Sequence, residues 1–252
     1  MKIASLIQKI SSLRLVIVLC FVLAFASCKE DEKDPNRDNG SDLSQEIKNN
    51  IPTATLEKLR QMGIKINEGT NPPVFEGIYW LSPLVMTKTE VPDDYSEVGD
   101  IFADYNIKLY NQNNKKLTIS LDSKGYDDYG NVITTSIGQD GAFISGKGNF
   151  FTVYVITDGK NTHNTSRFRM LEVYSGEHTS SGIKNMQNAI LMMDNYANVN
   201  DDLIPNNTGR AFKDQDGFSE SGSNFRKAAV GPADGTLKTV ARRREQVVMI
   251  KK

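Results

Sequence analysis

Hydrophobic and polar residues alternate along much of the chain after residue 76, and a period of two is typical of a β-strand with one buried face. In Ile101–Tyr110, for example, Ile107 and Leu109 alternate with Asn106 and Lys108. Clusters of Gly, Asn and Asp separate such segments and indicate turns. The pattern predicts strands at residues 77–81, 101–110, 117–121, 132–137, 142–145, 150–157 and 167–174. So many short strands predict an all-β domain, either a barrel or a β-sandwich.

One short helix is predicted ahead of the strands. Residues 51–63 carry apolar side chains at helical spacing, and Gly63 is a natural residue to end a helix. We expect Thr53 or Thr55 to cap this helix. Residues 180–194 carry apolar residues at helical spacing, and the Asn-, Asp- and Gly-rich residues 197–223 predict a loop. The apolar stripe of the helix consists of Leu56, Leu59 and Met62.

The first 27 residues have the pattern of a secretory signal peptide. Basic residues precede an uncharged run at residues 15–27, which is too short to span a hydrocarbon core of about 30 Å as a helix. Ala26-Ser27-Cys28 then resembles the lipobox of bacterial lipoproteins, which implies that Cys28 is lipidated and becomes the first mature residue. Residues 28–50, mostly charged or polar, predict a disordered acidic tether. The β domain is expected over residues 51–223, followed by a basic segment at 224–252.

Composition narrows the classes of function. The chain has 30 Lys and Arg against 31 Asp and Glu, a net charge of −1, which argues against a nucleic-acid-binding protein. There are two cysteines. Cys20 leaves with the signal peptide and lipid occupies Cys28, so the mature chain has no disulfide, thiol nucleophile or cysteine metal site. We therefore expect no catalytic residues, no metal and no cofactor.

Three motifs that could carry chemistry have simpler interpretations. Gly141–Gly148 nearly matches a phosphate-binding loop, but a strand follows it instead of a helix, which favours a β-hairpin turn. Asp214-x-Asp216-Gly217 has the core of a calcium loop, yet neither end of the twelve-residue register supplies the needed carboxylate. An Asp/Gly turn is the favoured interpretation. His163 and His178, the only histidines, lie among polar residues and are interpreted as surface residues.

The segment Gly77-Ile78-Tyr79-Trp80, behind a short helix, resembles the first strand of lipocalin-like (calycin) barrels. More specifically, EGTNPPVFEGIYWLSP, with the later SGEHTSSGIKN, resembles a group of lipocalin-like lipoproteins of Bacteroidota. This resemblance implies an antiparallel barrel of eight to ten strands with a short N-terminal helix, and it implies no activity. It also implies a closing strand at residues 180–194, so helix and strand both stay open for that segment. The acidic run directly after Cys28 resembles the surface-export signal of such lipoproteins. It implies an outer-membrane protein, lipid-anchored and displayed at the cell surface.

These features favour a non-enzymatic binding module whose barrel mouth accepts a small, partly apolar molecule or a glycan fragment. The alternative is a structural or interaction protein whose barrel is filled by its own side chains. An enzyme is least favoured, because the chain is poor in His and Cys. The membrane is an expected partner through the lipid, and any protein partner stays open. We expect Trp80 near the base of the barrel interior, and the candidate ligand-binding residues are Trp80, Tyr79, Phe151 and Tyr154.

Overall fold

The computed structural model describes residues 42–223, apart from residues 128, 139–141 and 162–165. Two helices, α1 (Gln45–Asn50) and α2 (Thr53–Gln61), precede the strands, and a 3₁₀ turn covers Tyr196–Asn198. The strands of this described part are β1 (Thr70–Asn71), β2 (Gly77–Leu81), β3 (Leu84–Thr89), β4 (Ile101–Phe102), β5 (Asp104–Asn113), β6 (Thr118–Tyr126), β7 (Val132–Gly138), β8 (Ala142–Lys147), β9 (Phe150–Asn161), β10 (Arg167–Thr179), β11 (Gly182–Asp194), β12 (Gly209–Asp214) and β13 (Phe218–Gly222). The all-β prediction is confirmed.

The described strands form one sheet that contains a closed antiparallel ring. The ring runs β2, β5, β6, β7, β9, β10, β11 and β13, and each of these strands pairs with the next. Pairing of Tyr79 with Ser221 and of Ile78 with Gly222 joins β13 to β2 and closes the ring. The remaining strands extend it: β12 and β3 pair beside β11, β4 pairs with β3, and β8 pairs with β6 and β9.

Alternate side chains point into the ring and fill it. Tyr79 and Leu81 from β2, Ile107 from β5 and Val153 from β9 belong to one core cluster, and each is almost completely buried. Large inward side chains such as these stabilise a closed sheet because they exclude water from its apolar face.

Both ends of the ring are covered by apolar residues of the same core cluster. At one end, Phe75 precedes β2 and stacks on Phe151, with ring centroids 4.1 Å apart. At the other end, Val91 from the β3–β4 connection and Leu203 and Ile204 from the β11–β12 connection join the cluster. The interior is therefore packed along its whole length.

A second core lies outside the ring, where the two helices pack on β9–β12. Tyr154, Leu171 and Ala189 face outward from the strands into this cluster. Helix α1 corrects the prediction that the disordered tether extends to residue 50. The Ser44 side chain caps α1 by accepting from the Ile47 amide at 3.3 Å, and Ile47 is fully buried. The apolar residues of the helical layer are Leu43, Ile47, Ile51, Leu56, Leu59 and Met62.

Other differences from the predicted elements have local causes. Residues 180–194 form a strand, which settles the open alternative, and Gly63 ends α2 with a φ of 87° as expected. The threonine cap is wrong, because α2 begins after Pro52 without a side-chain cap. Strands β1, β3, β12 and β13 were not predicted, the last two lying in the predicted loop 197–223. In β12 the buried positions include Arg210 and Asp214, so its inward face looks polar in the sequence.

Candidate functional site

The structure does not bring the four predicted ligand-binding residues together. Tyr79 and Phe151 lie inside the ring. Tyr154 lies in the outer cluster beneath the helices. The expectation that Trp80 lies in the interior is wrong, because the alternation of β2 puts Tyr79 and Leu81 inside and Trp80 on the outer face. There the Trp80 ring packs against Tyr126 at a centroid distance of 5.6 Å.

A buried carboxyl group sits inside the ring and was not predicted. Glu172 on β10 accepts hydrogen bonds from Thr157 Oγ1 at 2.7 Å and from the Tyr174 hydroxyl at 2.5 Å. Burial raises the pKa of Glu172, although these hydrogen bonds oppose the shift. Burial and the neighbouring Glu172 together hold the pKa of Tyr174 well above its usual value. This network ties two adjacent strands together within the sealed interior, so it is suited to structure rather than to contact with a ligand.

The main pocket among the described residues lies on the outer surface of the ring and has a volume of about 510 Å³. It forms where both neighbours of β11 lose register at the same point. On one side, Ser175 pairs with Gln187 and Glu177 with Lys184, so β11 holds one more residue than β10 between these pairs. On the other side, the chain between β12 and β13 holds more residues than β11 does. Such bulges re-aim side chains and often lie beside functional sites.

Two backbone features shape this outer pocket. Asn185 adopts a left-handed φ of 51°, and its amide donates to the Gly217 carbonyl at 2.8 Å. Gly217 also has a positive φ, 78°, which glycine adopts without strain. Together these residues hold the 215–217 turn open beside β11.

The lining of the outer pocket is mixed in charge and rich in amides. It includes one aromatic ring, Phe150, which is 41% exposed and lies 4.7 Å below the ammonium group of Lys65. Gln187 is held in place, because its side chain accepts from the Lys65 amide and donates to the Gly63 carbonyl, both at 2.9 Å. The polar lining residues are Lys65, Asn67, Ser175, Glu177, Asn185, Gln187, Lys213, Asp214, Gln215 and Asp216.

Among the residues that line this pocket, Asp214 has the most strongly shifted pKa. Its side chain is almost fully buried, and Oδ2 accepts from the Ser219 hydroxyl at 2.7 Å. Burial raises the pKa of Asp214 to about 7, the nearby negative Asp216 adds to the shift, and the bond from Ser219 opposes it. Near neutral pH this carboxyl can therefore either donate or accept a hydrogen bond.

A smaller and more apolar groove of about 270 Å³ lies where the α1–α2 corner meets the outer face of β9–β11. Ile51 and Pro52 line it from the helices, and Leu171, Leu191 and Met193 line it from the strands. No charged group other than Lys58 is among its lining residues. We therefore interpret the groove as a part of the apolar sheet face that the helices leave uncovered, and not as a specific binding site.

The remaining predicted motifs are structural where they are described. The Gly-rich segment up to Gly148 forms β8 and the turn into β9, as predicted, and Asp214–Gly217 is a turn between two strands. His178 lies in β10 rather than in a loop, and partial burial lowers its pKa. His163 and Cys28 lie outside the described residues, as do the signal peptide and the basic C-terminal segment. Within residues 42–223 as described, there is no group of three or more His, Cys, Asp or Glu placed to hold a metal ion.

Comparison with known proteins adds no further assignment. No family model, curated protein or solved structure matches the chain. In the part of the chain that the structure covers, none of the helices has the length and apolar character needed to cross a membrane.

Proposed function

We propose that this chain is a lipid-anchored, non-enzymatic binding protein of the outer membrane, displayed at the cell surface, with a small molecule such as a glycan fragment as its ligand. The observation that carries the binding role is the outer pocket of about 510 Å³ at the bulges of β10–β13. This volume lies in the range of small-molecule sites. The anchoring role rests on the sequence around Cys28.

The scaffold in this proposal is a lipocalin-like barrel. Eight antiparallel strands that follow their order in the chain around the ring, closed by pairing of the first with the last, support it. The ligand site, however, is placed outside the barrel and not at its mouth. Phe75 covers one end, residues of two connections cover the other, and inward side chains fill the space between.

The chemistry of the outer pocket suits a sugar. Hydroxyl groups of a sugar both donate and accept hydrogen bonds, which matches a lining of amides, carboxylates and ammonium groups. The apolar C–H face of a sugar ring can pack on the exposed face of Phe150. Gln187 and Asn67 are already fixed by hydrogen bonds, so binding would cost little side-chain entropy there.

Binding of a neutral sugar should depend on pH through Asp214. Its carboxyl is almost fully buried beside the pocket, so its ionisation would act on the ligand through the adjoining 215–217 turn, and the affinity should change as the pH passes through about 7. Ligand-observed NMR of the full mature chain with a panel of neutral mono- and disaccharides would measure this. Asp214→Asn should flatten the pH profile, and Phe150→Ala should abolish binding. Val74→Ala, an exposed apolar residue outside the pocket, is the matched control.

A panel in which no sugar binds, or in which Phe150→Ala binds as well as the wild type, would contradict the pocket assignment. The second candidate function would then stand: a structural or interaction protein of the outer membrane. Its specific support is the packed interior, which makes the ring a rigid scaffold without an internal ligand.

Membrane anchoring is tested separately. Cys28→Ser removes the thiol that would receive the lipid, so the protein should move from the membrane fraction to the soluble fraction. Mass spectrometry of the wild-type N-terminus should show a diacylglyceryl cysteine, and protease added to intact cells should remove the domain. An unmodified mature N-terminus would disprove lipidation, and full protection in intact cells would disprove surface display.

A further inference from the structure

One end of the ring presents the same exposed motif three times. Tyr-x-x-Val occurs at residues 95–98 in the β3–β4 connection, at 129–132 after β6, and at 196–199 in the β11–β12 connection. Because the strands alternate in direction around the ring, these connections all lie at one end. Tyr95 is 70% exposed and Tyr129 is 84% exposed. We call this set of three connections the tyrosine end.

The loops of the tyrosine end are held in place by their own hydrogen bonds. Asp127 accepts from the amides of Tyr129 and Asn131 at 3.0 and 2.7 Å. Asp94 anchors the β3–β4 connection to the buried Arg210 on β12. Asn198 Oδ1 accepts from the Asp202 and Leu203 amides. Exposed aromatic residues on pre-ordered loops lose little entropy on binding, which is the usual property of interaction hot spots.

The loops of the tyrosine end carry acidic residues and no basic ones. Residues 90–100 contain five acidic residues, of which Glu90 is paired with Lys58 and Asp94 with Arg210, and 127–131 and 195–208 contain two each, whereas these segments contain no lysine or arginine. At the opposite end, the β5–β6 turn carries Lys115 and Lys116. Like charges would repel a second copy docked by the same end, and they would also repel an anionic lipid surface. The complementary partner is cationic.

One of the three tyrosines already shows the expected contact. The guanidinium group of Arg167 lies over the ring of Tyr196, 5.2 Å from its centroid. A tyrosine face attracts a cation through its quadrupole, and arginine stacks on it especially well. Tyr95 and Tyr129 offer the same ring faces to solvent.

We propose that the tyrosine end docks a protein partner through a surface rich in arginine and lysine. Tyr95 and Tyr129 stack on guanidinium groups of the partner, the neighbouring valines pack on its apolar stems, and the carboxylates of the loops pair with its charges. This surface is separate from the outer pocket, so either assignment can fail without affecting the other.

The test uses the full mature chain and three fluorescently labelled synthetic peptides of equal length, in which leucine alternates with arginine, glutamate or serine. Only the arginine peptide should bind by fluorescence anisotropy, and its affinity should fall steeply between 20 and 200 mM NaCl. Tyr95→Ser with Tyr129→Ser keeps every charge, and it should weaken binding at least about tenfold. Val74→Ser with Ile137→Ser removes two exposed apolar residues elsewhere and should leave binding unchanged.

Binding of all three peptides alike, or an unchanged affinity in the double tyrosine variant, would overturn the proposal. A photo-reactive phenylalanine at position 129 provides a second arm in intact cells. The adduct should contain another protein, joined within a segment rich in arginine and lysine. An adduct with lipid or with a second copy of this chain would overturn the proposal, as would the absence of any adduct.

Discussion

Replacement of Asp94 by alanine is expected to lower the free energy of unfolding by about 3–5 kcal/mol. Arg210 is fully buried, and its guanidinium Nε donates to Asp94 Oδ2 at 2.8 Å while Nη2 donates to Oδ1 at 2.5 Å. Without Asp94 this cation stays in a place that water does not reach, and it loses the carboxylate that helps to offset the cost of its desolvation. Urea unfolding followed by circular dichroism measures the loss.

Two variants make this result specific to the buried pair. Glu97→Ala removes an exposed carboxylate from the same connection and should change stability by less than about 0.5 kcal/mol. Asp94→Ala combined with Arg210→Met removes both charges and should be more stable than Asp94→Ala alone, because no unpaired charge remains buried. A loss below about 1 kcal/mol in Asp94→Ala would mean that Arg210 finds water or another partner.

The same pair should show a defined pH dependence. Burial alone would raise the pKa of Asp94, but hydrogen bonds from Arg210, Thr89 and the Ser96 amide lower it below its usual value. A carboxyl whose folded pKa is depressed contributes stability above its unfolded pKa of about 3.9 and loses it as the pH falls through the folded value. The difference between wild type and Asp94→Ala should therefore narrow in acid.

Phe151→Ala is expected to cost about 3–5 kcal/mol of unfolding free energy, because a large buried ring leaves a cavity that a closed sheet cannot collapse to fill. Phe151 lies inside the ring beneath Phe75, at a centroid distance of 4.1 Å. The neighbouring Phe150 is the matched control, since it points outward and is partly exposed. Phe150→Ala should cost less than about 1 kcal/mol, and equal losses in the two variants would mean that the inward and outward faces of β9 are misassigned.

Much of the fold could be predicted from the period of the apolar residues. The strand at Gly77–Leu81 and the short helix before it were found because their patterns are local. A period of two, however, does not tell which face points inward, and Trp80 was placed on the wrong side for that reason. Strand β12 was missed because two of its buried residues, Arg210 and Asp214, are charged. Their hydrogen-bond partners, Asp94 and Ser219, lie outside this strand, so the sequence of the strand alone does not reveal them.

The candidate site was harder to predict than the fold. The outer pocket exists because the strands on both sides of β11 lose register with it at one point, and register is a property of pairing rather than of any single segment. The local signal was the Asp214–Gly217 segment, which was interpreted as an Asp/Gly turn. Phe151 and Tyr154 were predicted as residues of one ligand site, but the two faces of β9 serve different cores.

The order of the ring strands along the chain has a consequence for how the sheet forms. Four of the eight pairings in the ring join strands that follow each other directly in the chain, namely β5–β6, β6–β7, β9–β10 and β10–β11. Short hairpins form within about 1–10 μs, so these parts of the sheet can form early. The joining of β13 to β2 is the contact of longest range, and only two residue pairs make it. It must wait for the last strand, and until then both edges of the growing sheet stay open to aggregation.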